Sequence, residues 1–471
     1  MRIYRLDSTL LWLDETYTFQ LARLGPVAIW QNVLNDPHPP MFYVLEWLMT
    51  GFGSARWAWA WRLAPMLCGA LCGPLFYLIA QPLSGTAGAL LGGLALALSP
   101  TNMYFSQEAR APTLLWLLST LALLLVLRLL HHARPTLWGA YAAVIALGIT
   151  SDYAFVCVPM AQFLVLLAAP ATRRAALWCM AGVALLCSPL LLLGHGSLSS
   201  ASSAFSQQDP PRVALFLMSL LGGDLIRYGQ TWAHVVLLGT FLALILIGVR
   251  TGWATAQRMV IALCLLQVLL PLVGFFGVGV PLLGLRLPLN QAKAFLVILP
   301  ALYLLAALGA GWLSRLRLVG TLLIVGLIGL IAAGELYNLG RYWSISKSRE
   351  GDLVMAVLAV AQPGDNLISF AIETSGVLSF YQPDLPTYSI APGRSDAQVL
   401  AESTSIMPPT ISPPATHVDL AQVIRPGTRV WVLYKTVWPI PAPFDSLIPR
   451  CAQSADIAQG PFRALLLTNC P

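Results

Sequence analysis

Residues 113–130 read TLLWLLSTLALLLVLRLL, an apolar stretch broken by one charge, Arg128, near its end. As a helix these 18 residues rise about 27 Å, close to the ~30 Å hydrocarbon core of a bilayer. The stretch reads as a membrane span. Comparable runs lie near residues 61–80, 84–101, 135–150, 153–169, 174–193, 232–249, 259–280, 294–312 and 318–338, about ten spans in all. Hydrophobic residues make up 57% of the 471, charged residues only 10%, and the mean hydropathy is +0.73, far outside the range of soluble domains. The net charge of +7 would suit nucleic acid, but the basic residues fall mostly in short loops between spans, where topology explains them. Nucleic acid is therefore not among the expected partners.

Every second connection carries the positive charge: Arg128 with Arg134, Arg173 with Arg174, Arg250 with Arg258, and Arg315 with Arg317. The positive-inside rule makes those loops cytoplasmic. The opposite side then receives residues 1–60, 102–112, 194–231, 281–293 and everything after Tyr342. Residues 39–53 are too short to span and open on Pro39-Pro40, so they read as a helix lying on the membrane surface. An outer segment of some sixty residues with no leader or anchor, opening on Met1-Arg2-Ile3-Tyr4-Arg5-Leu6 like the end of a helix, raises the expectation that a first helix is missing.

The expected fold class is an all-α polytopic membrane domain followed by a small C-terminal α/β domain. The expected division is 1–340 for the membrane domain, with 1–60 as its first outer loop bearing surface helices, and 341–471 for an extracytoplasmic soluble domain. In the tail, residues 350–361 have helical apolar spacing, Pro363-Gly364-Asp365 breaks them, and strands are expected at 366–372, 429–435 and 463–468. Ser403–Thr416, rich in Ser, Thr and Pro, reads as an extended loop or linker. Six cysteines lie in apolar spans as small buried hydrophobes. Cys451 and Cys470 lie in the tail, where a disulfide and two free thiols both stay open. No Cys/His spacing resembles a zinc site.

Chemistry needs polar groups at the water-facing edge, and these are few. Asp14-Glu15 stands in a short polar window, and Asp36-Pro37-His38-Pro39-Pro40 follows about twenty residues later. If a sugar leaves a lipid phosphate, a carboxylate must take the acceptor's proton and cations must stabilise the departing phosphate. Asp14 or Glu15 could be the base; His38, Arg110 and Lys293 are basic groups near span edges, and Glu108 is a second acid. Structural readings stand beside these. Glu108 and Arg110 could pair with each other, Lys293 could be a snorkelling lysine, His38 could hold a turn, and Asp14-Glu15 could be a surface acid pair. Asp36 reads as a helix cap, Asp152 as a boundary residue, and Asp224 with Arg227 as solvated. Trp57, Trp59 and Trp61 read as interface anchors.

Together, Leu11-Trp12-Leu13-Asp14-Glu15, Asp36-Pro37-His38-Pro39-Pro40, Gly53 with Arg62, and Tyr104-Phe105-Ser106-Gln107-Glu108-Ala109-Arg110 resemble the GT-C glycosyltransferases of family 39 type. That family includes protein O-mannosyltransferases and the lipid A aminoarabinose transferase. The resemblance runs to about residue 340 and is looser in the tail. It implies a polyprenyl-phosphate sugar donor, reaction on the outer face of the cell inner or plasma membrane, inversion, and a catalytic aspartate that maps onto Asp14, with Glu15 beside it. His38 takes the place of a donor-phosphate lysine in the aminoarabinose branch. Lys293 stands where many relatives carry arginine, which costs the bidentate fork, and Pro112 replaces a tyrosine. The acceptor, a glycan, lipid or protein hydroxyl or amine, is not marked in the sequence. No cofactor is expected to be obligatory, although Asp14, Glu15 and Glu108 would suit a divalent cation if folded together. The rival classes are a lipid or glycan transporter or flippase, and an inactive glycan-assembly scaffold. The transporter reading is disfavoured because the spans look almost free of charge and no internal repeat is visible.

Overall fold

A computed structural model describes residues 1–33, 38–193, 213–223, 229, 231–255, 257–273, 295–381, 387–389, 426–437 and 448–470. In chain order the helices begin with α1 (Leu13–Ala22), α2 (Pro26–Val33), α3 (Met41–Met49), α4 (Ala58–Trp61), α5 (Leu63–Leu98) and α6 (Pro100–Ser106). Next come α7 (Pro112–His131), α8 (Pro135–Ile149), α9 (Cys157–Ala168), α10 (Arg173–Leu193), α11 (Val213–Gly222) and α12 (Trp232–Trp253). The last apolar helices are α13 (Arg258–Leu272), α14 (Leu299–Leu313) and α15 (Arg317–Trp343). The tail contributes α16 (Arg349–Leu358), β1 (Asn366–Ser369), α17 (Ile372–Tyr381), β2 (Thr387–Ser389), β3 (Val430–Lys435), β4 (Ala452–Gln459) and β5 (Phe462–Thr468).

These elements form two compact units. One comprises Met1–Tyr4, Val33–Leu45 and Arg62–Ile345; the other comprises Arg5–Asn32, Glu46–Trp61 and Ser346–Pro471. The second unit thus gathers chain from both sides of residue 340.

The first unit is the helical bundle. By length and composition α5, α7, α12, α15 and the helical segment Phe295–Leu313 suffice to cross a membrane, and shorter apolar helices cover Pro135–Ile149, Tyr153–Ala168 and Arg258–Leu272. Helix α5 is a hairpin of two helices. Gly85 breaks it with φ 74°, a left-handed conformation that costs glycine little. Gly73 accordingly faces Gly93 and Ala97 across the hairpin, and Gly92 faces Phe76. Gly248 of α12 and Gly309 of α14 meet each other's backbones so closely that a side chain at either would overlap, the small-residue contact that lets membrane helices approach. The ends of the bundle differ in chemistry. At one end the Gln257 amide donates to the Leu83 carbonyl at 2.7 Å, and the α5 turn meets Gly311, beside the basic connections. At the other end Thr101 donates to the Ser219 carbonyl at 3.0 Å, and the Met41 amide donates to the Thr150 carbonyl at 2.9 Å. Helix α3, nine residues long, rises only about 14 Å and is no span.

The second unit is built on a five-stranded sheet ordered β2-β1-β3-β5-β4, with β1 parallel to β2 and β3, and β5 antiparallel to β3 and β4. One face packs Leu353, Val357, Leu367, Trp431 and Leu466 with α16 and α17; the other packs Ile368, Val432, Ile448 and Leu467. Cys451 and Cys470 form a disulfide beside that second face. Asp365, at the turn before β1, takes hydrogen bonds from Arg429 Nε at 2.7 Å and Trp431 Nε1 at 3.0 Å.

Candidate active site

Helix α1 carries Asp14 and Glu15 in its first turn, where acids oppose the positive end of the helix dipole. It is mounted on the tail. The Leu11 amide donates to Tyr381 Oη at 3.1 Å, the Leu13 amide to Glu350 Oε1 at 3.3 Å, and Ser348 Oγ to the Leu11 carbonyl at 3.3 Å. Further along, Gln20 Nε2 donates to Ser379 Oγ at 2.9 Å. Gly376 of α17 admits the approach: a Cβ there would run into the Thr16 side chain. Phe19 packs edge-to-face on Phe380 at 4.7 Å and on Trp61 at 5.2 Å, and each such pair contributes about 0.5–1.5 kcal/mol beyond its buried area. Trp61 is therefore fully buried in this unit and is not an interface anchor, whereas Trp57 and Trp59 are exposed.

Adjacent helical residues point about 100° apart, so Asp14 and Glu15 cannot share one direction. Glu15 is fully buried and accepts a hydrogen bond from the Trp12 amide at 3.4 Å. Asp14 is half-buried and keeps a solvent-facing part. The inward acid fixes the start of the helix.

In the bundle, Ser99 caps α6 by accepting from the Asn102 amide at 3.3 Å, Pro100 opens it, and it ends at the loop Gln107–Ala111 before Pro112. Gln107 anchors that loop. Its amide nitrogen donates to the Arg2 carbonyl at 2.9 Å and the Tyr4 carbonyl at 2.8 Å, while its oxygen accepts from Tyr342 Oη at 2.7 Å. Arg110, almost fully buried, is held by its amide to the Glu108 carbonyl at 2.7 Å and places Nη2 at 3.3 Å from His38 Nε2. A guanidinium only donates, so His38 Nε2 must be the unprotonated nitrogen in this contact. A guanidinium and an imidazole from segments 72 residues apart thus meet at the same end of the bundle. Such a fork and imidazole suit a phosphate oxygen.

Of the sequence-predicted site residues, Asp14 and Glu15 belong to the tail-containing unit, and His38, Glu108 and Arg110 to the bundle. Lys293, Asp36, Asp224, Arg227 and Ser403–Thr416 lie outside the described residues. Asp152 is a boundary residue, accepting from the Ala154 amide at 2.9 Å. Among the described residues no group of three or more His, Cys, Asp or Glu is arranged to hold a metal ion.

Two buried acids escaped the sequence reading. Glu46 in α3 and Glu335 in α15 are both fully buried, and no carboxylate oxygen of either has a hydrogen-bond partner among the described residues. The spans are thus not as free of charge as they look: Glu335 lies inside α15, one helical turn from Asn338, which donates to the Gly222 carbonyl at 2.9 Å. The available signal for each was a lone acid in an otherwise apolar helix.

A family model described as dolichyl-phosphate-mannose-protein mannosyltransferase matches residues 37–193. That stretch holds His38, Glu108 and Arg110. Over the whole chain, the fold is similar to ArnT from Cupriavidus metallidurans in the apo state, with a TM-score of 0.61 at 15% identity, covering 99% of this chain and 95% of that one. The chain has the GT-C fold. The same protein bound to undecaprenyl phosphate matches with a TM-score of 0.61 at 14% identity and the same coverage. The Archaeoglobus fulgidus oligosaccharyltransferase in complex with Zn and sulfate gives a TM-score of 0.53 at 12% identity, covering 91% of this GT-C chain and 64% of that one. No curated protein matches in sequence. The apolar helices and the shared architecture make this an integral membrane protein.

Proposed function

We propose that this GT-C chain transfers a sugar from a polyprenyl-phosphate donor to an acceptor hydroxyl or amine on the outer face of the membrane. The acceptor atom attacks the anomeric carbon as the bond from that carbon to the phosphate oxygen breaks. Asp14 takes the acceptor's proton, and the charge gathering on the departing phosphate is met by the Arg110 guanidinium and the His38 imidazole, with Lys293 as a further basic group. A single displacement of this kind inverts the anomeric centre. Because a single base is enough, Glu15 serves by holding α1, and Glu108 by holding the Arg110 loop.

The observation that carries the reading is the meeting of Arg110 with His38, from segments far apart in sequence, at the bundle end opposite the basic connections. The architecture it shares with a protein crystallised with undecaprenyl phosphate adds weight. The basic connections support a cytoplasmic assignment for their own end and hence an outward-facing site. Binding of undecaprenyl phosphate to the purified chain in nanodiscs tests the donor site. A charge-assisted hydrogen bond contributes about 1.5–3 kcal/mol, so Arg110→Ala should weaken binding roughly tenfold or more. Unchanged binding in that variant would remove Arg110 from the donor site.

A further inference from the structure

A second guanidinium enters the bundle at the loop that bears Arg110. Arg2 lies in the opening segment Met1–Tyr4, which belongs to the helical unit. Its backbone is fixed to that loop: Gln107 Nε2 donates to the Arg2 carbonyl at 2.9 Å and to the Tyr4 carbonyl at 2.8 Å, and the Tyr4 ring meets Trp343 edge-on at 5.1 Å. The side chain runs to the end of α6, where Nε donates to Ser106 Oγ at 3.4 Å. The Ser106 hydroxyl gives its own proton to Asn102, 2.5 Å from the carbonyl oxygen, so a lone pair is left to face Arg2. Gly69 of α5 leaves the room, since a Cβ there would overlap Ser106 Oγ. That long bond holds one edge of the guanidinium and leaves the other open. Arg2 Nη2 is buried without a hydrogen-bond partner among the described residues. Burial lowers the Arg2 pKa from the ordinary arginine value, and no carboxylate acts to raise it.

A guanidinium only donates, so a buried one is satisfied by acceptors alone, and best by the paired oxygens of an anion. Ser106 stands four residues before Arg110, a length of chain that reaches at most about 14 Å, so both guanidiniums enter one neighbourhood of the bundle. Arg2 rests against α5 and α6 of the membrane bundle and not on the tail, which suits an anion carried by a lipid over one free in water. We propose that Arg2 is a further residue of the donor site, its guanidinium binding the lipid-linked phosphate beside Arg110 and His38. The chemistry calls for more than one guanidinium. A sugar phosphodiester carries one negative charge, whereas the polyprenyl phosphate that departs is a monoester whose charge approaches two. A second guanidinium meets the charge that develops as the sugar leaves. The inference rests on the polyprenyl-phosphate reading given above and adds a residue to it.

The test compares two lipids on the full chain in nanodiscs: undecaprenyl phosphate, and undecaprenol, which has the same chain without the phosphate. Arg2→Gln should weaken binding of undecaprenyl phosphate roughly tenfold or more and leave undecaprenol binding unchanged. Arg2→Lys keeps a point charge without the fork, so its loss should be smaller and again confined to the phosphate lipid; it supplies the test if Arg2→Gln does not fold. An equal loss for both lipids would mean that Arg2 serves only the fold and would overturn the inference. Parent-like binding of undecaprenyl phosphate in a folded Arg2→Gln protein would overturn it too, and a loss in Arg110→Ala under the same conditions would show that the donor reading survives. A parent that holds undecaprenyl phosphate no more tightly than undecaprenol would overturn both.

Discussion

Replacing Glu350 should disturb the proposed base from a site 337 residues further along the chain. The Glu350 carboxylate is buried and accepts the Leu13 amide at 3.3 Å, one residue before Asp14, at the end of α1 where the helix has free N–H groups. In Glu350→Ala that amide loses its acceptor, at a cost of about 1–3 kcal/mol. Glu350→Gln retains a carbonyl oxygen but gives up the charge opposing the helix dipole, about 0.3–1 kcal/mol. Local opening of α1 should rise accordingly. Hydrogen exchange of the Leu13–Thr16 amides, read by mass spectrometry, should quicken roughly 5- to 150-fold in Glu350→Ala and about 2- to 5-fold in Glu350→Gln. Turnover should fall in the same order, since a displacement of about 1 Å at a reacting group can cost a hundredfold. Parent-like exchange at α1 in Glu350→Ala would refute the claim that the tail holds this helix.

Other contacts make comparable predictions. Gly376→Ala places a Cβ against Thr16 and should cost about 1–3 kcal/mol of tail stability by overpacking, with Thr16→Ala in the same chain restoring most of it in thermal melts. Joint replacement of Cys451 and Cys470 by Ser opens a loop of sequence separation 19, which by chain entropy should cost the tail about 3 kcal/mol; an unchanged melt would show that the bridge adds nothing. At Asp365 burial acts to raise the carboxyl pKa, but hydrogen bonds from Arg429, the Gln362 amide and Trp431 outweigh it and hold the group below the ordinary aspartate range. A depressed folded pKa gives stability that is present above the unfolded value and lost as pH falls through the folded one, so the tail should weaken below about pH 4. Asp365→Asn should remove that acid-labile part, and an identical acid melt in both proteins would exclude it.

Much of the bundle was legible because hydropathy and length act locally. The stretch 113–130 became α7, and the expected pair 61–80 and 84–101 became the two arms of α5 around Gly85. In the tail, α16, β1, β3 and β5 followed the periodicity, whereas β4 did not announce itself: Ala452–Gln459 is an exposed edge strand with few apolar residues. The site was legible by residue type but not by partnership. Nothing local to Asp14-Glu15 tells which acid turns inward, because that depends on Glu350, Tyr381 and Ser348, more than 300 residues away. Trp61 looked like an anchor beside Trp57 and Trp59 until Phe19, brought from a distant turn of chain, covered it. Glu46 and Glu335 escaped the sequence reading because burial is a tertiary property.

The central claim is tested most directly by acceptor-dependent release of polyprenyl phosphate from a panel of lipid-phosphate sugars, comparing the purified parent with Asp14→Asn. The account predicts release by the parent and a loss of at least about a hundredfold in the variant, with undecaprenyl phosphate still bound. Equal release by both proteins would contradict Asp14 as the base; silence of a folded parent across the panel would contradict the transferase itself.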